Sequence, residues 1–148
     1  MKRLKGMAFL LLAMSLTMLS CKKDDNSSSS SSSVTTGPLN SALQQGSWRV
    51  TFFESNGVDE TSHYAGYSFV FASSGSSTAT NSLNTVNGLW SSGTDDSQLK
   101  LILNYSSNIP FEELNSDWHV LQQTSTLIRL EDVSGGNGGT DLLTFTKN

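Results

Sequence analysis

The sequence predicts an all-β domain in which eight short antiparallel strands close into an up-and-down barrel behind one short helix. Apolar and polar residues alternate with period two through most of residues 46–148, and turn-forming residues separate the alternating runs. No helical segment is long enough to cover an open sheet. Such a sheet has to bury its apolar face against itself, as a barrel or a sandwich.

The first twenty residues predict a secretory signal peptide. Lys2, Arg3 and Lys5 precede an apolar run over residues 7–19. That run is short for a hydrocarbon core of ~30 Å, which takes about 20 residues to span. Charged residues follow it at once. A positive start and a short apolar run are typical of an export signal, with a membrane anchor helix as the alternative.

The only cysteine, Cys21, directly follows that segment. One cysteine cannot form an internal disulfide, and an exposed thiol outside the cytoplasm is open to oxidation. The run Met18-Leu19-Ser20-Cys21 resembles the lipobox of bacterial lipoproteins, where the signal is cut before the cysteine. The resemblance implies acylation of Cys21, with chains such as palmitate, and a membrane anchor. An unmodified cysteine in an ordinary signal peptide is the alternative.

The charged residues after Cys21 suggest a cellular location. Lys22-Lys23-Asp24-Asp25 resembles the export signal that sends lipoproteins of Bacteroidetes-type bacteria to the cell surface. That resemblance implies an outer-membrane lipoprotein exposed at the surface, and a periplasm-facing one is the alternative. The Ser-rich remainder of residues 21–38 has almost nothing to bury, so we expect a disordered tether between the lipid and a domain over residues 39–148.

Composition argues against nucleic acid as a partner. The formal net charge is −4, and removal of residues 1–20 takes away three positive charges and leaves −7. A chain this acidic, without a basic cluster in its folded part, is a poor match for a phosphate backbone.

Within the domain, residues 39–45 predict a short helix that ends at Gly46. The expected strands cover residues 46–54, 66–72, 77–82, 86–92, 99–105, 118–122, 127–132 and 142–146. In the first strand Trp48, Val50 and Phe52 are expected to face one way and Phe53 the other. Turns are expected at residues 55–57, 73–75, 87–88, 93–96 and 134–139.

Gly46-Ser47-Trp48 after a short helix resembles the Gly-x-Trp start of lipocalins. The later order is similar to the short lipocalin-like domains of Bacteroidetes lipoproteins. It includes Tyr67-Ser68-Phe69-Val70-Phe71, Gly88-Leu89-Trp90 and Trp118-His119-Val120. The resemblance implies a lipocalin-like barrel with Trp48 closing one end, and a small apolar or amphipathic ligand bound at the other.

Five aromatic residues are the candidate ligand-binding set: Tyr67, Phe69, Phe71, Trp90 and Trp118. Their alternative role is to fill the core. In that case the barrel is solid, and outward residues engage a protein partner. The residues expected to face outward and to serve such a partner are Phe53, Val70, Ile102 and Leu142.

Nothing in the sequence predicts an enzyme, a metal site or a cofactor. His63 and His119 are expected to be surface residues, because a zinc site needs three or four ligands. Glu112, Glu113 and Asp117 are expected to be solvated loop charges, because adjacent carboxylates on a loop rarely flank a cleft.

Overall fold

The computed structural model describes residues 34–106, 109–133 and 139–148. The predicted signal peptide, Cys21, most of the tether and the glycine-rich run at 134–138 lie outside these ranges. Over the described ranges, no helix is long and apolar enough to cross a bilayer.

The first element of the described ranges is helix α1 (Gly37–Leu43). The first three strands are β1 (Trp48–Ser55), β2 (Val58–Asp59) and β3 (Ser68–Phe71), and the next three are β4 (Ser76–Thr80), β5 (Thr85–Asp95) and β6 (Gln98–Tyr105). The last three are β7 (Ser116–Gln123), β8 (Leu127–Val133) and β9 (Thr140–Lys147). A first 3₁₀ helix (Thr61–Tyr64) lies between β2 and β3, and a second (Phe111–Leu114) lies between β6 and β7.

Eight of these strands close into an antiparallel barrel. Strands β3 to β9 pair in chain order, β3 also pairs with β1, and β9 pairs back onto β1 through six residue pairs. Strand β2 is a two-residue partner at the end of β1. The predicted fold class is confirmed, including the short helix that precedes the barrel.

The alternating positions of the last strands face the interior as predicted. The buried residues of β6, β8 and β9 lie two apart, and they are Leu101, Leu103, Tyr105, Ile128, Leu130, Leu143 and Phe145. Successive side chains of a strand point to opposite faces, so this spacing puts one apolar face inside.

The predicted outward position of Phe53 is wrong. The pairing of β1 with β9 shifts register between Val50 and Phe52, which makes Thr51 the extra residue of a β-bulge. A bulge moves the following side chains to the other face of the sheet. Phe53 is therefore fully buried, and Phe52, expected inside, is only partly buried.

The turn predicted at residues 87–88 is also wrong, and the turn predicted at residues 93–96 begins only at its last residue. Strand β5 runs from Thr85 to Asp95 without a break, and the chain reverses at Asp96 and Ser97, which have φ of 47° and 64°. Gly88 does not form a turn. It allows two strands to pack closely, because the ring of Tyr105 occupies the space that a side chain at position 88 would need.

Helix α1 covers one end of the barrel, which we call the α1 end. Leu39 and Leu43 are fully buried, and the Trp48 indole donates a hydrogen bond to the Leu43 carbonyl at 3.1 Å. The Lys147 ammonium lies 5.8 Å from the centre of the Trp48 ring. Trp48 thus sits between the helix and the last strand.

The two 3₁₀ helices cover the opposite end, which we call the 3₁₀ end. Strands β1 and β6 run in the same direction, so the segments that follow them emerge on the same side. These segments bury Tyr64, Phe111 and Leu114. The Tyr64 ring contacts Phe111 edge to face at 5.6 Å, and its hydroxyl donates to the Pro110 carbonyl at 3.0 Å. Both ends of the barrel are therefore plugged by side chains.

Candidate functional site

The five aromatic residues proposed as a ligand-binding set lie at interior positions of the barrel. Phe69, Phe71, Trp90 and Trp118 are buried, and Tyr67 is partly buried near the 3₁₀ end. They come from β3, β5 and β7 and the segment before β3.

These rings contact one another and other core rings. Phe71 packs edge to face on Trp90 and on Phe145, each with centroids 5.7 Å apart, and Phe69 packs on Phe145 at 5.3 Å. Trp118 packs on Phe53 at 6.4 Å. Aromatic pairs in contact have centroids roughly 4.5–7 Å apart. The space around each of these rings inside the barrel is therefore filled by neighbouring rings.

The indole N–H groups are also engaged. The Trp90 indole donates to the Ala72 carbonyl and the Trp118 indole to the Leu114 carbonyl, both at 2.9 Å. Buried tryptophans normally pair their N–H in this way. With these donors satisfied by backbone, the tryptophans offer the barrel interior only apolar surface.

Two hydroxyls in the core differ from this pattern. The Ser77 and Tyr105 hydroxyls are buried and have no hydrogen-bond partner among the described residues. Burial raises the pKa of Tyr105 to about 12, against a smaller lowering by the nearby Ser77 hydroxyl.

A groove opens beside the plug at the 3₁₀ end, and we call it the mouth groove. It has a volume of about 530 Å³ and is lined by Tyr67, Asn84, Thr85, Val86, Ile109, Pro110 and Phe111. Ile109 is 79% exposed at its rim. Of the five predicted ligand residues, only Tyr67 lines this groove.

A second groove lies on the outer surface of β5 and β6, and we call it the outer groove. It has a volume of about 350 Å³, and its lining is Ser74, Gly75, Leu89, Trp90, Ser91, Ile102 and Asn104. Trp90 is therefore the one member of the predicted ligand-binding set that contributes to this groove. Leu89 is 63% exposed and Ile102 is 38% exposed. Leu89 was not singled out from the sequence as an exposed position, whereas Ile102 faces outward as predicted.

Sequence reasoning missed a cluster of Glu60, His63 and Glu113 at the 3₁₀ end. The His63 Nδ1 atom lies 3.8 Å from Glu60 Oε2 and 3.7 Å from Glu113 Oε2. One ligand-type atom from each of the three side chains lies within 4.8 Å of the other two. We call this group the Glu–His–Glu cluster.

The cluster has two carboxylates and one imidazole, and these groups affect the pKa of their neighbours. Partial burial and the facing Glu60 carboxylate raise the pKa of Glu113, and His63 opposes that rise. Burial, together with Glu113 and Glu60, holds the pKa of Tyr64 well above its usual value. Among the described side chains, Glu60 Oε2 has less than 1 Å² of accessible surface and no hydrogen-bond partner.

The sequence contained only part of the signal for this cluster. Glu60 and His63 are three residues apart on one helical turn, a spacing that brings side chains together. Glu113 lies about fifty residues further on, and only the closure of the barrel brings it to the same end.

Comparison with known proteins supports the fold. No protein-family model matches the chain, and the curated proteins contain no match. A solved structure of a DUF4847 family protein from Bacteroides vulgatus is similar, with a TM-score of 0.51 at 17% identity. The match covers 74% of this chain and 97% of that one. At this identity the likeness shows a common barrel fold.

Proposed function

We propose that this chain is an exported lipoprotein, acylated at Cys21, that presents a solid, non-catalytic lipocalin-like barrel to a protein partner at the bacterial outer membrane. In this proposal residues 1–20 are removed, residues 21–38 tether the barrel, and the barrel is exposed on the cell surface. The barrel fold, which the chain has in common with the B. vulgatus protein, is compatible with this role.

The filled interior is the observation that supports a partner over an enclosed ligand. Phe69 and Phe71 of β3 pack edge to face on Phe145 of β9 inside the barrel, and Phe71 also packs edge to face on Trp90 of β5. An eight-stranded barrel has an interior just wide enough for side chains or for one small ligand. Rings that occupy that space leave the outer surface and the ends as the places for recognition.

The outer groove is the part of the surface best suited to a protein. Its lining combines apolar Leu89, Trp90 and Ile102 with polar Ser74, Ser91 and Asn104. Protein interfaces combine apolar contacts with polar groups in the same way. Val70, on the outer face of β3, is 44% exposed, but Thr78 of β4 lies between it and β5, so it forms a separate apolar position.

Site-specific photocrosslinking in the native host tests this surface. A photoreactive amino acid at Leu89 or Ile102 is expected to give one adduct of the same mass, and the matched position Thr51 on the outer face of β1 should give none. Leu89→Glu should remove the Ile102 adduct. Equal adducts at all three positions, or none at Leu89 and Ile102, would contradict the proposal.

The proposed lipidation and membrane location are tested separately, beginning with metabolic labelling with an alkyne fatty acid. Cys21 should carry the label, and Cys21→Ser should abolish it. Protease added to intact cells should remove the barrel domain if the domain is on the surface, and should leave it intact if it faces the periplasm. An unlabelled chain retained in the cytoplasm would contradict the export proposal.

The mouth groove favours a second candidate, a small apolar or amphipathic ligand at the 3₁₀ end. Its volume of about 530 Å³ lies within the ~300–1,000 Å³ range of small-molecule sites. Its lining combines apolar Val86, Ile109 and Phe111 with polar Asn84 and Thr85.

Titration with a fluorescent fatty acid tests the second candidate. The second candidate predicts saturable binding that Ile109→Asp weakens, with Leu83→Asp, at an exposed turn residue outside the groove lining, as the control. Binding that is equally affected by both changes, or absent, would leave the partner proposal as the function supported.

A further inference from the structure

We propose that Glu60, His63 and Glu113 bind one divalent transition-metal cation, with zinc as the reference ion, and that this cation joins the two 3₁₀ helices at the 3₁₀ end of the barrel. The site is independent of Cys21 and of both grooves. It is also separate from the ligand and partner roles proposed above.

The distances within the cluster suit such an ion. His63 Nδ1 lies 3.7–3.8 Å from a carboxylate oxygen of each glutamate. A tetrahedral zinc ion with bonds of about 2.0–2.1 Å holds neighbouring ligand atoms about 3.3–3.4 Å apart. Small rotations of three partly exposed side chains are therefore sufficient to bring their ligand atoms to a common centre, with solvent completing the coordination.

The charges in the cluster also favour the binding of a cation. Within the described ranges, the basic group in ion-pair reach of Glu60 and Glu113 is His63, so two carboxylates share one imidazole. Glu60 Oε2 is shielded from solvent yet accepts no hydrogen bond from any described residue. The Glu60 side chain as a whole is 26% exposed, so its neighbours in the cluster cover this oxygen, and a cation at the centre of the cluster would give it a partner.

Local structure already orients the ligands. The first 3₁₀ helix is fixed to β1 by the Thr61 hydroxyl, which accepts a hydrogen bond from the Phe53 amide at 2.8 Å. The Tyr64 hydroxyl donates to the Pro110 carbonyl, at the start of the second 3₁₀ helix. These contacts hold Glu60 and His63 opposite Glu113 before any ion binds, which lowers the ordering cost of binding.

The donor set selects the class of ion. Imidazole nitrogen suits zinc, copper, iron and nickel, whereas calcium and magnesium take oxygen ligands. One imidazole and two carboxylates therefore fit a first-row transition metal better than an alkaline-earth cation. Magnesium serves as the control cation in the test below.

The test is a zinc titration of the full-length chain, purified in detergent and stripped of metal with a chelator. We expect one zinc bound per chain by calorimetry, and a rise of roughly 10 °C in the unfolding midpoint at 100-fold excess over the dissociation constant. His63→Ala and Glu113→Gln should each weaken zinc binding at least about tenfold. Magnesium should produce no comparable rise.

His119→Ala is the matched control, because it removes the chain's other histidine, which lies in β7, and should leave the affinity unchanged. Glu60→Gln and Glu113→Gln preserve side-chain shape, so the comparison still holds if His63→Ala folds poorly. The proposal is overturned if the wild-type chain binds no zinc, if the Gln variants bind it as tightly as wild type, or if His119→Ala abolishes binding.

Discussion

The ring of Tyr105 lies directly over Gly88, in the space that a side chain on the neighbouring strand would occupy. A Cβ atom at position 88 would lie 2.5 Å from Tyr105 Cδ1 and 2.9 Å from the Asn104 carbonyl oxygen. Gly88 and Tyr105 are paired across β5 and β6, so the strand pairing itself fixes this contact. The absence of a side chain at position 88 lets Tyr105 fill the core near the 3₁₀ end.

Gly88→Ala is therefore expected to destabilise the barrel by about 1–3 kcal/mol, because the ring and a paired backbone carbonyl both have to move. Gly93→Ala, in the same strand, is the control, since a Cβ there meets no atom within 4 Å. Its effect should stay within about 0.5 kcal/mol. Urea unfolding of both variants checks this, and equal stability of the two would contradict the packing.

Tyr105→Phe should maintain or raise stability at neutral pH. The Tyr105 hydroxyl is buried and, within the described structure, has no hydrogen-bond partner, so its removal relieves a desolvation cost. The expected gain in the free energy of unfolding is on the order of 1 kcal/mol. A loss of similar size in urea unfolding would instead indicate that the hydroxyl is hydrogen-bonded in solution.

The same residue predicts how stability depends on alkaline pH. Burial raises the pKa of Tyr105 to about 12, above the ~10 of an unfolded tyrosine. Between these values the unfolded chain has lost a proton that the folded chain keeps. Stability is therefore unaffected by Tyr105 below pH ~10, and falls by up to about 1.4 kcal/mol per pH unit as the pH rises towards ~12.

Urea unfolding at several alkaline pH values measures this slope, and Tyr105→Phe should reduce it. Part of the slope should remain in the variant, because burial also raises the pKa of Tyr64. Identical slopes for wild type and Tyr105→Phe would show that Tyr105 ionises equally easily in the folded and unfolded chains.

Adjacent residues of β3 should respond very differently to truncation. Phe69 is fully buried and contacts Phe145, so Phe69→Ala is expected to cost about 3–5 kcal/mol. Val70 points outward and is 44% exposed, so Val70→Ala should cost at most about 1 kcal/mol. Similar losses for the two variants in urea unfolding would contradict the assigned faces of β3.

In strands whose apolar and polar residues alternate without interruption, the sequence was sufficient to predict which side chains face the interior. Leu101, Leu103 and Tyr105 face inward as their spacing predicts, because each pairs in regular register with β5. Where the register shifts, the alternation fails: the extra residue Thr51 in β1 moves Phe53 into the core. A bulge depends on how two distant strands pair, and β1 carries no local signal for it.

Contacts between distant segments account for the other differences. Asn87-Gly88 has the residues of a tight turn, but the ring of Tyr105 requires a glycine in mid-strand. His63 has a nearby carboxylate in Glu60, while Glu113 joins them only because the segments after β1 and β6 emerge at the same end. The alternation of aromatic residues correctly predicted that the five candidate aromatic side chains face the interior. How those side chains pack depends on the dimensions of the closed barrel.

The central claim, that the barrel interior is filled by its own side chains, is tested most directly by nuclear magnetic resonance of the three tryptophan indoles. Trp48, Trp90 and Trp118 are the only tryptophans in the chain, and all three are buried. Titration with a long-chain fatty acid is expected to leave all three indole N–H signals unshifted, with any changes confined to residues of the mouth groove. Saturable shifts of the Trp90 and Trp118 signals would show a ligand inside the barrel and contradict the account.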